Sequence, residues 1–327
     1  MKKVIALTIV SFLIINAMLF SSMEGVETIE TETEPRMTLI APFANKMYWG
    51  SAAAGFTDAG RDLGVSTKCI GFTKIDVEKQ VSAIRSAIYA KVDGIVTAGT
   101  EESEEFRQVL KEAKEAGIPV VLVDSDVENA DRICYIGTDN YDSGRIAGED
   151  VIATTGGKAK VAVVVSTMEV ENQKERLRGF QDTVKAYPEI EVIKVVEGNS
   201  DSRILNERIA RLLEEEKDLT AVFCAEGYGT TSMCQIIKDA KGEYDDLKVV
   251  GFGVSEMKNQ SIEEGIMYST IYQNSYDMGY RALDVLMRVL REEEVPPLDY
   301  TEVKSIRKNN LEEINMDEGK KVEWQIY

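Results

Sequence analysis

The sequence predicts an α/β protein of two doubly wound parallel-sheet lobes, and three observations predict it. Ten short apolar runs recur along the chain, at 37–43, 65–72, 94–98, 119–124, 133–138, 161–166, 191–196, 219–225, 249–252 and 268–273. Between them apolar residues fall at helical spacing, as at Val77, Val81, Ile84 and Ile88. The rhythm runs to Thr138 and restarts at Lys160. Strands that are apolar on both faces need cover on both sides, which the crossover helices of a parallel sheet supply. A chain of 327 residues is long enough for two such cores.

In chain order, Lys2 and Lys3 followed by the apolar stretch 4–20 read as a secretory leader. The small residues Ala17, Ser21 and Ser22 offer cleavage points. An uncleaved anchor is the alternative, because the apolar stretch is at the short edge of what spans a bilayer. Residues 1–22 are thus a signal peptide or signal anchor, and the acidic, Thr-rich residues 23–36 are a flexible linker. The first cysteine is Cys69, too late to carry a lipid. The expected location is extracytoplasmic, in the periplasm or on the outer face of the cytoplasmic membrane. From residue 37, helices close on turn residues before the next strand: Gly64, then Asp93 with Gly94, then Gly117 with Pro119. The second half repeats the pattern from 160 to 273. It is followed by a strong amphipathic helix at 275–293, with Met278, Ala282, Val285, Leu286 and Val289 on one stripe. Right-handed crossovers then give parallel sheets of about five strands each.

Composition narrows the function. The net charge of −19 disfavours nucleic acid, whose phosphates need clustered Lys and Arg, and disfavours an anionic membrane surface. It suits a neutral or cationic small ligand. The chain has no histidine, which removes Ser-His and Cys-His nucleophile pairs and His-ligated zinc. No phosphate-binding glycine motif is present; Gly251-Phe252-Gly253 is the nearest approach. A carboxylate glycosidase would need two acids facing across a crevice, and only Asp124 and Glu226 are placed for that. A binder is expected rather than an enzyme, with no cofactor and no metal. Cys69, Cys134, Cys224 and Cys234 lack metal-ligand spacing. Export permits disulfides among them without fixing a pairing, and buried core thiols are the other reading.

Two doubly wound lobes bind ligands at the carboxyl ends of their strands. The residues there are 45–49, 98–101, 124–125, 139–140, Glu226, Gly253 and 273–274. Tyr48 and Trp49 form an aromatic pair at the first strand end, suited to the C–H face of a sugar. Trp49 alternatively anchors its helix to the sheet. Asp124 suits two hydroxyl hydrogens at once, or caps the turn that follows it.

Seven segments, in order across residues 37–305, carry a resemblance to a known family. They are Lys-Met-Tyr-Trp-Gly at 46–50 with Gly55-Phe56, Gly-Ile-Pro-Val-Val-Leu-Val-Asp at 117–124, Tyr-Ile-Gly-Thr-Asp-Asn-Tyr at 135–141, and Arg-Leu-Arg-Gly-Phe at 176–180. The others are Thr-Ala-Val-Phe at 220–223, Val-Val-Gly-Phe at 249–252 and Ser-Thr-Ile-Tyr-Gln at 269–273. The chain resembles the periplasmic sugar-binding proteins of the ribose-binding type, whose type I fold is shared with the effector domains of LacI-family regulators. The resemblance implies that Tyr48 and Trp49 stack on the ligand and that Asp124 binds its hydroxyls. It places Asn140 beside the first interlobe crossing and Lys174 at the family's ligand-binding arginine. Glu226 stands where the family often has Asn, and Gln273 matches a ligand-binding Gln near the second crossing. Gly253 replaces a hydroxyl-binding Asp, Ser125 an Arg and Gly99 an Asn, which argues against ribose. Glu226 would restore an acceptor lost at Gly253.

The resemblance also implies a three-crossing hinge, near 138–140, 273–275 and 301–304, that closes on ligand. The N-terminal lobe would comprise 37–138 and 275–302. The C-terminal lobe would comprise 139–274 with the tail 303–327. The expected function is a monomeric solute-binding receptor that delivers a monosaccharide or polyol to an ABC permease. The alternative is a membrane-tethered sugar sensor partnering a histidine kinase or chemoreceptor. A LacI-type regulator is excluded, because an apolar leader stands where a basic helix-turn-helix would be needed.

Overall fold

The computed structural model describes residues 34–44, 48–100, 103–199, 201–313 and 322–326. The leader and nearly all of the linker lie outside these residues. The ten apolar runs become β1 (Arg36–Ile40), β2 (Ser66–Gly71), β3 (Gly94–Thr97), β4 (Val120–Val123), β5 (Cys134–Thr138), β6 (Ala159–Val165), β7 (Ile190–Glu197), β8 (Ala221–Cys224), β9 (Lys248–Phe252) and β10 (Ser269–Gln273). β1 to β5 form one parallel sheet and β6 to β10 another. These are the two α/β lobes the sequence predicts. β3, β4 and β5 are buried at every residue, as strands covered on both faces must be.

Among the described residues nine helices cover the sheets: α1 (Tyr48–Leu63), α2 (Val77–Tyr89), α3 (Glu104–Glu115), α4 (Asn140–Thr155), α5 (Glu171–Val184), α6 (Ser202–Glu215), α7 (Gly227–Asp239), α8 (Glu256–Glu263) and α9 (Ser275–Leu290). Several start on a capping side chain at a strand end. Asp139 caps α4, Glu226 caps α7, Ser255 caps α8 and Asn274 caps α9. Each cap fixes where the chain turns away from the crevice.

Three strands carry no clear apolar signal. β11 (Leu298–Thr301) joins the first sheet parallel to β5, and β12 (Val303–Arg307) joins the second sheet antiparallel to β10. β13 (Trp324–Ile326) pairs in parallel with β2. This last pairing corrects the expectation that 303–327 belongs wholly to the C-terminal lobe. Among the described residues of the tail only β12 lies in that lobe's sheet and β13 lies in the first, so the strands described pass between the sheets four times. Trp324 drives the return. It packs against the first-lobe core, and the space beside Gly71 is small enough that a Cβ there would meet its ring at 3.0 Å.

Two helix pairs set the crevice geometry. α4 and α5 touch backbone to backbone, so a Cβ on Gly179 would lie 2.0 Å from the Tyr141 carbonyl oxygen, and one on Gly144 2.0 Å from that of Arg176. α1 and α9 meet in the same manner through Gly55 and Gly279. The four cysteines are buried free thiols, which overturns the disulfide alternative. Burial pushes Cys69 and Cys134 up to about 11.

Deep in the second lobe, Asp150 of α4 has no exposed surface. Its carboxylate accepts from Ser269 Oγ on β10 and from Ser305 Oγ on β12 at 2.5 Å, and it is ion-paired to Arg307. One carboxylate thus fastens β12 and α4 to the sheet. Asp150→Ala should lower the unfolding free energy by about 3 kcal/mol, because it strands Arg307 and two hydroxyls. Urea unfolding measures this, and a loss below about 1 kcal/mol would refute the fastening role.

Candidate functional site

The site lies where the carboxyl ends of β1, β4, β8, β9 and β10 face each other. On the first-lobe side, the chain leaves β4 through Asp124, whose φ of 67° is left-handed. Acidic and amide side chains tolerate that conformation better than most, and its appearance at a strand end marks a position held by its surroundings. Three contacts hold it. Asp124 N donates to Ile136 O at 3.1 Å, Tyr135 Oη donates to Asp124 O at 2.8 Å, and Tyr48 Oη donates to the carboxylate at 2.5 Å. Ser125 Oγ donates to the other carboxylate oxygen at 3.0 Å. The carboxylate therefore receives side-chain hydroxyls rather than capping the turn. Burial, reinforced by the Asp124 charge, pushes Tyr48 well above its ordinary range, so the phenol stays a donor.

Trp49 has the other fate considered for it. It is 3% exposed and sits in the first-lobe core with Ala52, Ala53 and Phe56, edge-on to Tyr48 at 5.6 Å. The packing makes it the anchor of α1, in place of the stacking surface expected of it.

On the second-lobe side the central group is Arg176 of α5, which is 5% exposed. Its Nε donates to Asn140 Oδ1 at 2.8 Å, Nη1 to Ala225 O at 2.8 Å and Nη2 to Gln273 Oε1 at 3.3 Å. Its guanidinium also lies 3.7 Å from the centre of the Phe252 ring. Burial draws its pKa down to about 10, with Asp124 the strongest opposing influence. Gln273 Oε1 accepts a second bond from Thr138 Oγ1 at 2.9 Å, so two of the crossings between lobes share one amide.

Lys174 differs from expectation. It lies on the rim, half exposed and paired with Glu171 at 3.1 Å, and Arg176 is the cation drawn inward. The reason is helical phase. The buried face of α5 runs through Gln173, Arg176, Leu177 and Phe180, and Lys174 is one residue off it. The spacing of that face was the signal that would have found Arg176. Glu226 is tied up as a cap, accepting from Tyr228 N at 2.6 Å and from Gly229 N. Beside the site, a cavity of about 910 Å³ opens between the lobes, lined among others by Asp124, Ser125, Asn140 and Lys174.

A second buried cation was not anticipated. Lys258 of α8 is 5% exposed and donates to Phe252 O at 2.9 Å, and burial draws it down to about 8.

Comparison with known proteins decides the family. The periplasmic binding protein domain matches residues 37–294. The chain belongs to that family. It is 24% identical over 233 residues to the ribose import binding protein of Salmonella typhimurium, covering 69% of this chain and 77% of that relative. Its structure is similar to GanP, a glucose-galactose binding protein from Geobacillus stearothermophilus, with a TM-score of 0.79 at 28% identity. That likeness covers 86% of this chain and 99% of the other. It is also similar to a chain of the XylFII-LytSN complex, at TM-score 0.74 and 28% identity over 85% of this chain and 99% of that one. The family is one of binding proteins, normally extracytoplasmic.

The buried lysine has a consequence for this periplasmic binding protein without ligand. Below about pH 8 Lys258 is charged in the folded state at its full desolvation penalty. Between about 8 and its ordinary value of 10.5 the folded state releases the proton and the unfolded state keeps it, so stability rises with pH through that window. Lys258→Met should therefore stabilise the unliganded protein by about 1–3 kcal/mol at pH 7, after loss of the bond to Phe252 O. The advantage over the parent should shrink toward pH 10. Parallel urea titrations at the two pH values check this; a destabilised variant at pH 7 would refute it.

Proposed function

We propose that the protein is an extracytoplasmic receptor that closes its two lobes on a monosaccharide or related polyol and delivers it to an ABC permease. One observation carries the reading. Polar side chains from both lobes and from the crossings between them converge on one place: Tyr48 and Asp124 from the first, Asn140 and Arg176 from the second, Thr138 and Gln273 at the crossings. A carboxylate able to accept hydroxyls opposite fixed amide and guanidinium donors is the arrangement a polyhydroxylated ligand needs. Such a ligand joins the lobes only when they are closed, so its binding energy shifts the hinge equilibrium. Relatives and structural neighbours that carry sugar names support the sugar class.

The second reading is a tethered sensor. It is favoured by the neighbour that sits in a complex with a second protein, and by a leader without a lipidation cysteine. Deleting the gene separates the two. A transport receptor's loss abolishes uptake of its sugar, whereas a sensor's loss leaves basal uptake and abolishes the transcriptional response to the sugar.

A thermal-shift screen against monosaccharides and polyols tests the shared premise. A true ligand at a hundredfold excess over its dissociation constant stabilises by about 2.7 kcal/mol, read as a higher Tm. No shift with any sugar or polyol would overturn the sugar assignment.

Two substitutions should then behave oppositely. Asp124→Ala should weaken binding at least about tenfold and lower the unfolding free energy by only about 1–3 kcal/mol, through the left-handed φ and the stranded Tyr48 hydroxyl. Trp49→Ala should instead lose about 3–5 kcal/mol of stability, because it empties a core position. Calorimetric titration and urea unfolding of both variants decide; unchanged affinity in Asp124→Ala would remove that residue from the site.

A further inference from the structure

Lys258 serves none of the roles assigned above. α8 is short and polar, yet it buries this ammonium and gives it one neutral acceptor, the Phe252 carbonyl. Among the described residues no carboxylate oxygen comes within 4 Å of its Nζ. Glu226 is the charge that most favours the ammonium, but taking it out of water without a contact ion pair is still among the more expensive arrangements a fold can hold. Nothing in the packing of α8 asks for it, since methionine would fill the same stem volume.

The surroundings of Nζ are unusual in a second respect. A Cβ on Gly227 would lie 3.2 Å from it, and one on Gly253 would lie 3.4 Å from it. The ammonium is thus flanked by two residues without side chains. Gly227 opens α7 just beyond β8, and Gly253 follows β9 with a left-handed φ of 72°. Both stand at carboxyl strand ends, the ends at which Arg176, from the opposite face of the sheet, reaches the Ala225 carbonyl and the Phe252 ring. Arg176 likewise has only neutral hydrogen-bond acceptors.

The acids closest to these cations act on them through their charge, Asp124 on Arg176 and Glu226 on Lys258, but spend their hydrogen bonds on neutral donors. Glu226 takes the amides of Tyr228 and Gly229, and the two oxygens of Asp124 take the hydroxyls of Tyr48 and Ser125. Lys258 keeps two N–H groups without a partner and Arg176 keeps two more. The second lobe therefore presents two desolvated cations with spare donors, in a protein whose net charge is −19. That surface charge does not govern the crevice, since exposed charges are screened beyond about 8 Å at physiological salt whereas buried ones are screened far less.

We propose that Lys258, beside Arg176, forms a subsite for an anionic oxygen group on the ligand, so that the receptor selects a sugar acid, an aldonate or uronate, over the neutral sugar. This rests on the sugar-receptor reading above and deepens it. Lys258 donates to the ligand carboxylate at the strand ends where Gly227 and Gly253 place no side chain beside Nζ. Arg176 supplies the second charge, while Asp124 and Tyr48 handle hydroxyls from the opposite lobe.

The test is calorimetric titration of the full-length protein with matched pairs: glucose against glucuronate and gluconate, galactose against galacturonate. The expected result is an acid bound at least tenfold more tightly than its neutral counterpart, with Lys258→Met lowering that preference at least tenfold. Gly227→Ala keeps the charge but sets a methyl beside Nζ, and should lower the same ratio, which covers the case of a misfolded Lys258→Met. A neutral sugar bound as tightly as its acid overturns the subsite and leaves the sugar receptor standing. A preference that survives in a folded Lys258→Met also overturns it. If neither acids nor neutral sugars bind, the sugar reading falls and the subsite with it.

Discussion

The buried guanidinium of Arg176 is the interaction on which the rest of the site depends. A cation this deep is tolerable only when its donors are met, and the acceptors come from three separate parts of the chain: Asn140 at the start of α4, Ala225 after β8 and Gln273 at the end of β10. Phe252 supplies a ring face as a fourth wall. None of these residues is near Arg176 in sequence except through the fold, so the guanidinium reports whether four elements are in register. What brings it to Asn140 is the absence of side chains at Gly144 and Gly179. A methyl at either would collide with a carbonyl and push α4 and α5 apart. The polar site is thus set by an apolar, steric fact one turn away. Because Gln273 also accepts from Thr138, the same guanidinium reaches both of the first two crossings between lobes.

Much of the fold was legible in the sequence. The ten strands covered by helices announce themselves because both their faces are apolar, and their ends are marked by the caps and glycines that turn the chain. β11, β12 and β13 were missed for a matching physical reason. β11 and β12 are edge strands, Leu298 and Tyr300 are exposed, and Lys304 and Ser305 separate Val303 from Ile306, so neither an apolar run nor a period-two pattern forms. β13 is three residues long, and only the packing of Trp324 distinguishes it from the charged tail before it. Position in the chain therefore suggested the wrong lobe for the tail.

The site was legible in part. Asp124, Asn140 and Gln273 could be placed because strand ends in a doubly wound sheet face the crevice whatever the side chains do. Which neighbour points inward is a finer question, decided by helical phase. Lys174 and Arg176 stand two positions apart, enough to move a cation from the rim to the floor. Tyr48 and Trp49 are adjacent and aromatic, yet one side chain turns to Asp124 and the other into the core. Lys258 was invisible because its own helix is polar. Nothing in Glu-Met-Lys-Asn-Gln says that the lysine is buried; the glycines at 227 and 253 become meaningful only when the fold brings them together around its ammonium.

Charge in this molecule therefore operates on two scales that point in opposite directions. The surface is acidic, which keeps the protein soluble and away from polyanions. The second-lobe floor is cationic, where water is excluded and each charge counts for more. A buried cation whose hydrogen-bond acceptors are one carbonyl, as for Lys258, or three neutral oxygens with a ring face, as for Arg176, lowers the stability of the fold. Under the proposed anion subsite the two facts are one: a ligand carboxylate that gave the ammonium a contact partner would favour the closed form, and that differential affinity would bias the hinge toward closure.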